Sequence, residues 1–418
     1  MQRVRHKCFI DSVLARTGLA GTLTYNAIMK NFARHFSTLF ALLVILSMDG
    51  VACAPQRMPD AATLTPDTTN LSAEIPAGFV AADGTRVLSF PTDFGAHPDF
   101  HTEWWYYTGN LQTVDGRAFG FELTFFRLGL LPPAVSLPGG SQWYNHSLYF
   151  AHFAVSDIAK QHFYSFERYS RPGPGLAGAQ GNPYRVWLED WSISGETPGK
   201  VRLQAVQGQI AIDLNLTDVM GVVLHGEKGY SRKGKTAGNA SYYYSQPRLQ
   251  ADGVVQVDDI RYPVSGLVWS DHEFSTSVLD KTQIGWDWFS LQFEDGTALM
   301  LFQLRETGGG ISDSSSGTFI DADGSPHPLQ KVVFEIKVLN EWRSSHTGGL
   351  YPSAWQIQLN SPACLLDIHP LMADQEINFP AVTYWEGAVR FKGTCNSLPA
   401  SGNGYIELTG YAGKLPLP

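Results

Sequence analysis

The chain has 418 residues, a formal net charge of -9 and 44% hydrophobic residues, the composition of an acidic globular protein. It carries no basic run able to neutralise phosphates, which argues against nucleic acid as a partner. Its 41 glycines, 24 prolines and many short alternating runs favour strands over helices.

From Met29 the sequence MKNFARHFSTLFALLVILSMDGVAC reads as a secretory signal peptide over residues 29–53. Lys30 and Arg34 precede an apolar run from Phe36 to Met48, and small residues lead into Cys53. The run is shorter than the roughly 20 residues needed to span a bilayer. Residues 1–28 form an upstream extension, so translation starts at either Met1 or Met29. Cys53, after Gly50, Val51 and Ala52, resembles a lipoprotein processing site, with Gly50 where a larger aliphatic residue is usual. Either Cys53 is lipidated and anchors the protein to a membrane, or cleavage after Ala52 or Ala54 leaves a soluble periplasmic protein. Residues 54–75 are poor in large apolar groups and rich in Thr, Pro and Ala, the composition of a flexible linker. The mature chain of roughly 365 residues suggests two domains. They are expected at 76–250 and 251–418.

The first strand is the most distinctive segment. In HTEWWYYTGNL (His101 to Leu111), alternation puts His101, Glu103, Trp105 and Tyr107 on one face and Thr102, Trp104, Tyr106 and Thr108 on the other. Both faces carry large aromatics, so the strand is expected to be buried on both sides, or to line a barrel while packing outward against other structure. Those aromatics are either plain core or the wall of a cavity. Further strand-like runs follow at Ala118 to Phe126, Ser147 to Val155, Tyr184 to Ile193, Val201 to Ala205 and Ile210 to Leu216. Asp115-Gly116, Asp252-Gly253 and Asp295-Gly296 read as turns. The glycine-rich piece Gly173 to Gly181 lacks the lysine of a phosphate loop and reads as a surface loop.

LQTVDG at Leu111 to Gly116 is echoed by LQFEDG at Leu291 to Gly296, 180 residues later. A Trp-rich strand precedes each copy and an apolar strand follows it. Two such units suggest two similar β-barrels or sandwiches in tandem, although the match is short enough to be a chance hairpin likeness.

With the leader and Cys53 set aside, Cys364 and Cys395 remain, a plausible disulfide in an oxidising compartment. Two places offer metal-ligand types: His97, His101 and Glu103, and the adjacent Asp271, His272 and Glu273. Neighbours in a strand point in opposite directions, and no HExxH or EF-hand pattern occurs, so no metal or other cofactor is expected. No serine has a nucleophile signature.

HTEWWYYTGNL, SDHEFS at Ser270 to Ser275, GWDWFSLQFEDGTALMLFQLR at Gly285 to Arg305, YWEGAVR at Tyr384 to Arg390 and GYIELTGY at Gly404 to Tyr411 together resemble the AttH-like family. That lipocalin-like family is related to the carotenoid 1,2-hydratases. The resemblance runs from about residue 85 to the C-terminus and implies an all-β fold: two tandem lipocalin-like antiparallel barrels meeting at an apolar cleft. It does not fix the activity, because one fold hosts many chemistries.

Hydrating an isoprenoid double bond needs a protonated acid in an apolar site, aromatic faces for a tertiary carbocation, and water. The resemblance makes Asp271 the first choice of acid, with Trp269 and Tyr244 as cation-facing aromatics. Trp269 stands where hydratase relatives tend to have tyrosine. Asp271 is otherwise a buried structural carboxylate. Glu103 is either a second cavity carboxylate or the partner of an arginine such as Arg127. Trp105, Tyr107, Glu273, Trp286 and Trp288 complete the expected ligand-binding set.

Two functions follow. The first, favoured by the leader, is an exported, periplasmic protein that binds a long apolar ligand, isoprenoid or lipid-like, as an accessory of an ABC transport system. The second is a hydratase or isomerase-type acid catalyst on isoprenoids.

Overall fold

In the computed structural model, residues 76–137, 139, 145–276 and 279–413 can be described. The upstream extension, the leader with Cys53 and the linker lie outside the described residues. The described residues fall within one compact unit, Asp67–Pro418, and contain no α-helix.

The first sheet begins with β1 (Thr102–Gln112), β2 (Ala118–Gly129), β3 (Ser147–Asp157) and β4 (His162–Ser170). It continues through β5 (Ala177–Gly181), β6 (Tyr184–Leu188), β7 (Trp191–Thr197), β8 (Lys200–Gln207) and β9 (Ile210–Asp218). The short β10 (Val223–Leu224) and β11 (Tyr230–Arg232) precede the long hairpin of β12 (Ala240–Val257) and β13 (Ile260–Ser275). The second sheet opens with β14 (Gln283–Phe293), β15 (Ala298–Glu306), β16 (Ser316–Ile320), β17 (Pro326–Gln330) and β18 (Phe334–Arg343). It ends with β19 (Leu350–Asn360), β20 (Ala363–Pro370), β21 (Glu376–Asn378), β22 (Thr383–Cys395) and β23 (Leu398–Thr409).

The two sheets share a plan. In the first, β4-β3-β2-β1 is followed by β13-β12; in the second, β17-β16-β15-β14 is followed by β23-β22. Each meander therefore curls until its first strand pairs with its last. The result is two lipocalin-like antiparallel barrels in tandem. The repeated hairpin matches in detail: Thr113 N donates to Arg117 O at 3.0 Å, as Phe293 N does to Thr297 O at 3.0 Å. Gly116 and Gly296 take φ of 86° and 96°, which side chains with a Cβ seldom tolerate.

The division between barrels differs from the expected 250/251, which falls inside β12. The first sheet runs to Ser275 and the second starts at Gln283. Gly253 is mid-strand, where a Cβ would lie 2.1 Å from Asp213 O on β9; it permits close strand approach rather than a turn. The chain turns at Asp258 and Asp259, both with positive φ (53° and 63°), as a two-residue hairpin requires. The expected run Tyr184 to Ile193 is likewise broken, into β6 and β7, by a turn at Glu189 with φ 56°.

Each barrel is filled. Trp105, Tyr107, Phe121, Phe153 and Trp191 belong to the first core, and Phe289, Trp355, Ile357 and Trp385 to the second. A third apolar cluster lies between the barrels, where Tyr106, Tyr243 and Trp269 meet Trp288, Phe302 and Tyr405. This seam covers the outer face of β1 and so leaves both faces of that strand buried.

Cys364 and Cys395 sit opposite each other on β20 and β22 and are joined as a disulfide. Its sequence separation of 31 residues gives a loop-closure stabilisation of about 3–4 kcal/mol. Cys364→Ser with Cys395→Ser should lose that amount in a denaturant titration; an unchanged midpoint would show that the bond contributes nothing.

Candidate functional site

Strand pairing dictates which side chains share the seam. Ser245, Asp271, Tyr106, Thr124 and His152 lie directly across from one another on β12, β13, β1, β2 and β3. On the second barrel, Glu386, Glu407, Trp288 and Phe302 form the facing row on β22, β23, β14 and β15. Hydrogen bonds tie the two together: His152 Nδ1 with Tyr384 Oη (2.7 Å), Asn110 Nδ2 to Gly404 O (2.9 Å) and Gln292 Nε2 to Val268 O (3.1 Å).

Asp271 is buried in the middle of this seam. Its Oδ1 accepts from Ser245 and from the Trp269 indole N–H (2.6 Å), and its Oδ2 from Tyr243 (2.7 Å). Tyr243 in turn accepts from the Trp288 indole N–H at 3.0 Å, and Ser245 meets His225 Nε2 at 2.6 Å. Burial pushes Asp271 up to about 7 against the pull of its three donors. Burial also lowers His225 to about 3, so that ring is neutral. The carboxyl can therefore give or take a proton near neutral pH, in a site walled by Trp269, Trp288 and Tyr243.

Three more acids share the seam. Glu386 is bonded to the Tyr106 hydroxyl and is held well above its ordinary value by burial, then by Glu407 and Glu122. Glu122 accepts from Thr124 Oγ1 at 2.6 Å and is also raised by burial. Glu407 lies at the rim, partly exposed, accepts from Trp286 Nε1 at 3.0 Å and is pushed up to about 8 by desolvation. Trp286 is half-buried beside it and Trp104 is half-buried against the same cluster, which marks the rim where the seam meets solvent. Glu273 differs, because Lys233 Nζ pairs with it at 3.0 Å.

A carboxyl whose folded value lies above its unfolded one stabilises the fold fully below the unfolded value. That contribution is lost as pH rises through the folded value. Measured by denaturant midpoints from about pH 5 to about pH 9, Glu407→Gln should gain on the wild type up to about pH 8 and then hold level. A constant difference across that range would contradict the raised value.

The other polar centre is inside the first barrel. Glu103 is fully buried, with Oε2 bonded to Arg127 Nε (2.7 Å) and Oε1 to His97 Nδ1 (2.6 Å) and His272 Nε2 (2.9 Å). His97 Nε2 reaches Asp93 at 2.9 Å, and Arg86 pairs with Asp93. Burial opposes the charge on Glu103, but His97 and Arg127 overcome it and hold the carboxyl well below its usual range. Carboxylates on both sides raise His97 despite its burial. Ligand atoms of His97, Glu103 and His272 lie within 4.8 Å of one another, and the trio has the donor types of a metal site. The facing atoms are already bonded to one another, however, and a divalent ion would add charge beside the Arg127 guanidinium. The network alternates in charge from Arg86 through Asp93, His97 and Glu103 to Arg127, whose Nη1 is buried without a hydrogen-bond partner among the described residues.

Several expected positions change. Tyr244 does not join Asp271: it faces the barrel interior, bonding His272 Nδ1 (2.6 Å) and Asp93 O (2.8 Å), and its neighbour Tyr243 takes the seam position. Glu103 is an ion-pair partner of Arg127, not a cleft carboxylate. Trp105 and Tyr107 are packed core groups, bonded to Phe94 O (3.0 Å) and Tyr184 Oη (3.1 Å). Asp271, Trp269, Glu273, Trp286 and Trp288 do share the seam. Tyr243, Ser245, Glu122, Glu386 and Glu407 escaped the sequence reading. An alternation signal was present for one of them: in YWEGAVR, Tyr384, Glu386 and Ala388 share a face, an acid set among apolar neighbours.

Residues 81–411 match the AttH-like family. The chain belongs to that family. A crystal structure from Nitrosomonas europaea described as an AttH is 36% identical, with a TM-score of 0.71, and the likeness covers 80% of this chain and 100% of that one. Kievitone hydratase from Nectria haematococca is 14% identical with a TM-score of 0.60, covering 79% of this chain and 95% of that one. At that identity the second likeness is one of fold. No curated protein matches this AttH-like chain.

Proposed function

We propose that the protein takes a long apolar, alkene-bearing molecule of isoprenoid type into the seam between its barrels and protonates it from Asp271. What carries this reading is Asp271 itself, a buried carboxyl poised near 7 among Trp269, Trp288 and Tyr243. The alkene π pair takes the proton and leaves a tertiary carbocation, and Asp271 becomes a carboxylate held by its three donors. Water then adds to the cation and returns a proton to Asp271, so hydration is balanced and the acid is restored. Aromatic faces stabilise the cation by roughly 0.5–2 kcal/mol each. The name of the hydratase neighbour agrees with this chemistry, on fold alone.

Binding without turnover is the second reading, and it has a specific support of its own. The leader and the Cys53 pattern point to export and membrane attachment, where an apolar-ligand carrier would serve an ABC transport system. One experiment separates the two. Mature protein is incubated with acyclic isoprenoid alkenes in oxygen-18 water and followed by mass spectrometry. Labelled alcohol supports the enzyme; native-mass complexes with unchanged alkene support the carrier; neither complex nor product rejects both.

A further inference from the structure

Glu122, Glu386 and Glu407 take no part in the protonation step, yet they stand together in the seam. Their hydrogen-bond partners are neutral: Thr124 and Tyr384 for Glu122, Tyr106 for Glu386, and the Trp286 indole for Glu407. Glu273, close enough to Glu407 for its charge to act there, has Lys233 as its own counter-charge. Three side-chain atoms in this part of the seam are buried without a hydrogen-bond partner among the described residues: Glu122 Oε2, the Tyr405 hydroxyl and His152 Nε2, the last 3.6 Å from Glu167 and near enough to Glu122 to favour its charge. Tyr405 is 1% exposed and belongs to the seam cluster, close enough to Glu386 and Glu122 for their charges to act on its hydroxyl. Aromatic faces complete the surroundings, with Tyr106 and Trp288 edge-to-face at 5.2 Å.

Buried carboxyls are costly unless a cation meets them or they stay protonated. Aromatic walls also attract cations, most strongly where water is excluded. Carboxyls, aromatic faces and unpartnered polar atoms therefore converge on one kind of occupant. We propose that this half of the seam is a subsite for positive charge carried on an apolar chain: a tertiary ammonium group, or the tertiary carbocation formed beside Asp271. The proposal rests on the reading that an apolar ligand occupies the seam, and it adds that the site prefers the charged form.

The probes are N,N-dimethylfarnesylamine, protonated at neutral pH, and the neutral alkene of the same shape, each titrated into mature protein by calorimetry. The amine should bind about tenfold or more tighter. In Glu386→Gln with Glu407→Gln, the ratio of the two affinities should fall close to one. Should that double variant not fold, Glu386→Gln alone should reduce the ratio about threefold or more. Equal affinities in the wild type, or a ratio that survives the substitutions, would overturn the proposal while leaving the apolar-ligand reading intact. If neither probe binds, both fall.

Discussion

Arg127→Met is expected to destabilise the fold by about 3–5 kcal/mol, the loss typical of breaking a buried ion pair from one side. Arg127 is 1% exposed and Glu103 fully buried. Besides its bond to Glu103, the guanidinium donates from Nη2 to His97 O (2.8 Å) and Phe100 O (2.7 Å), so it also pins the segment that enters β1. Removing it leaves the Glu103 carboxylate with only histidine partners. Adding Glu103→Gln removes the stranded charge and should recover part of the loss. A denaturant titration of both singles and the double checks this. Additive losses would show that the two side chains do not act as a pair.

Asp271→Asn has the largest expected effect on turnover, a loss of about 10²–10⁴-fold, the contribution usual for a positioned general acid. Asparagine keeps the shape and can still accept from Tyr243, Ser245 or Trp269, but it has no carboxyl proton to give. The pH dependence follows from the same group. Asp271 is raised to about 7, so the proton is present below that value and lost above it. The wild-type kcat/KM for an alkene should be flat on the acid side and fall about tenfold per pH unit above pH 7. A rate that rises through that range would assign Asp271 the role of base. A profile unchanged in the variant would remove it from the reaction.

Much of the architecture was legible because it repeats locally. Two Asp-Gly hairpins 180 residues apart, each after a Trp-rich strand, carry the tandem plan. The two-sided aromatic pattern of β1 carries its burial on both faces. The boundary was misplaced because Asp252-Gly253 has the composition of a turn, whereas Gly253 serves the close approach of β9 and the turn falls at two aspartates. The site was half legible for a similar reason. Alternation groups Trp269, Asp271 and Glu273 without reference to any other strand. In Tyr242, Tyr243 and Tyr244, three identical residues carry no phase, and only pairing with β13 decides that Tyr243 and not Tyr244 meets Asp271. Glu386 and Glu407 become neighbours of the acid through packing of one barrel on the other, which no local pattern encodes. The inner network was read as a choice between cavity and ion pair, and the directly opposed Glu103 and Arg127 on β1 and β2 settle its geometry.

The central claim, that the seam delivers the Asp271 proton to a bound alkene, is tested most directly in deuterium oxide. Wild-type protein supplied with an acyclic isoprenoid should place one deuterium on the carbon next to the new hydroxyl-bearing centre, and Asp271→Asn should place none above background. Product without deuterium at that carbon, or the same labelling rate in Asp271→Asn, would contradict it.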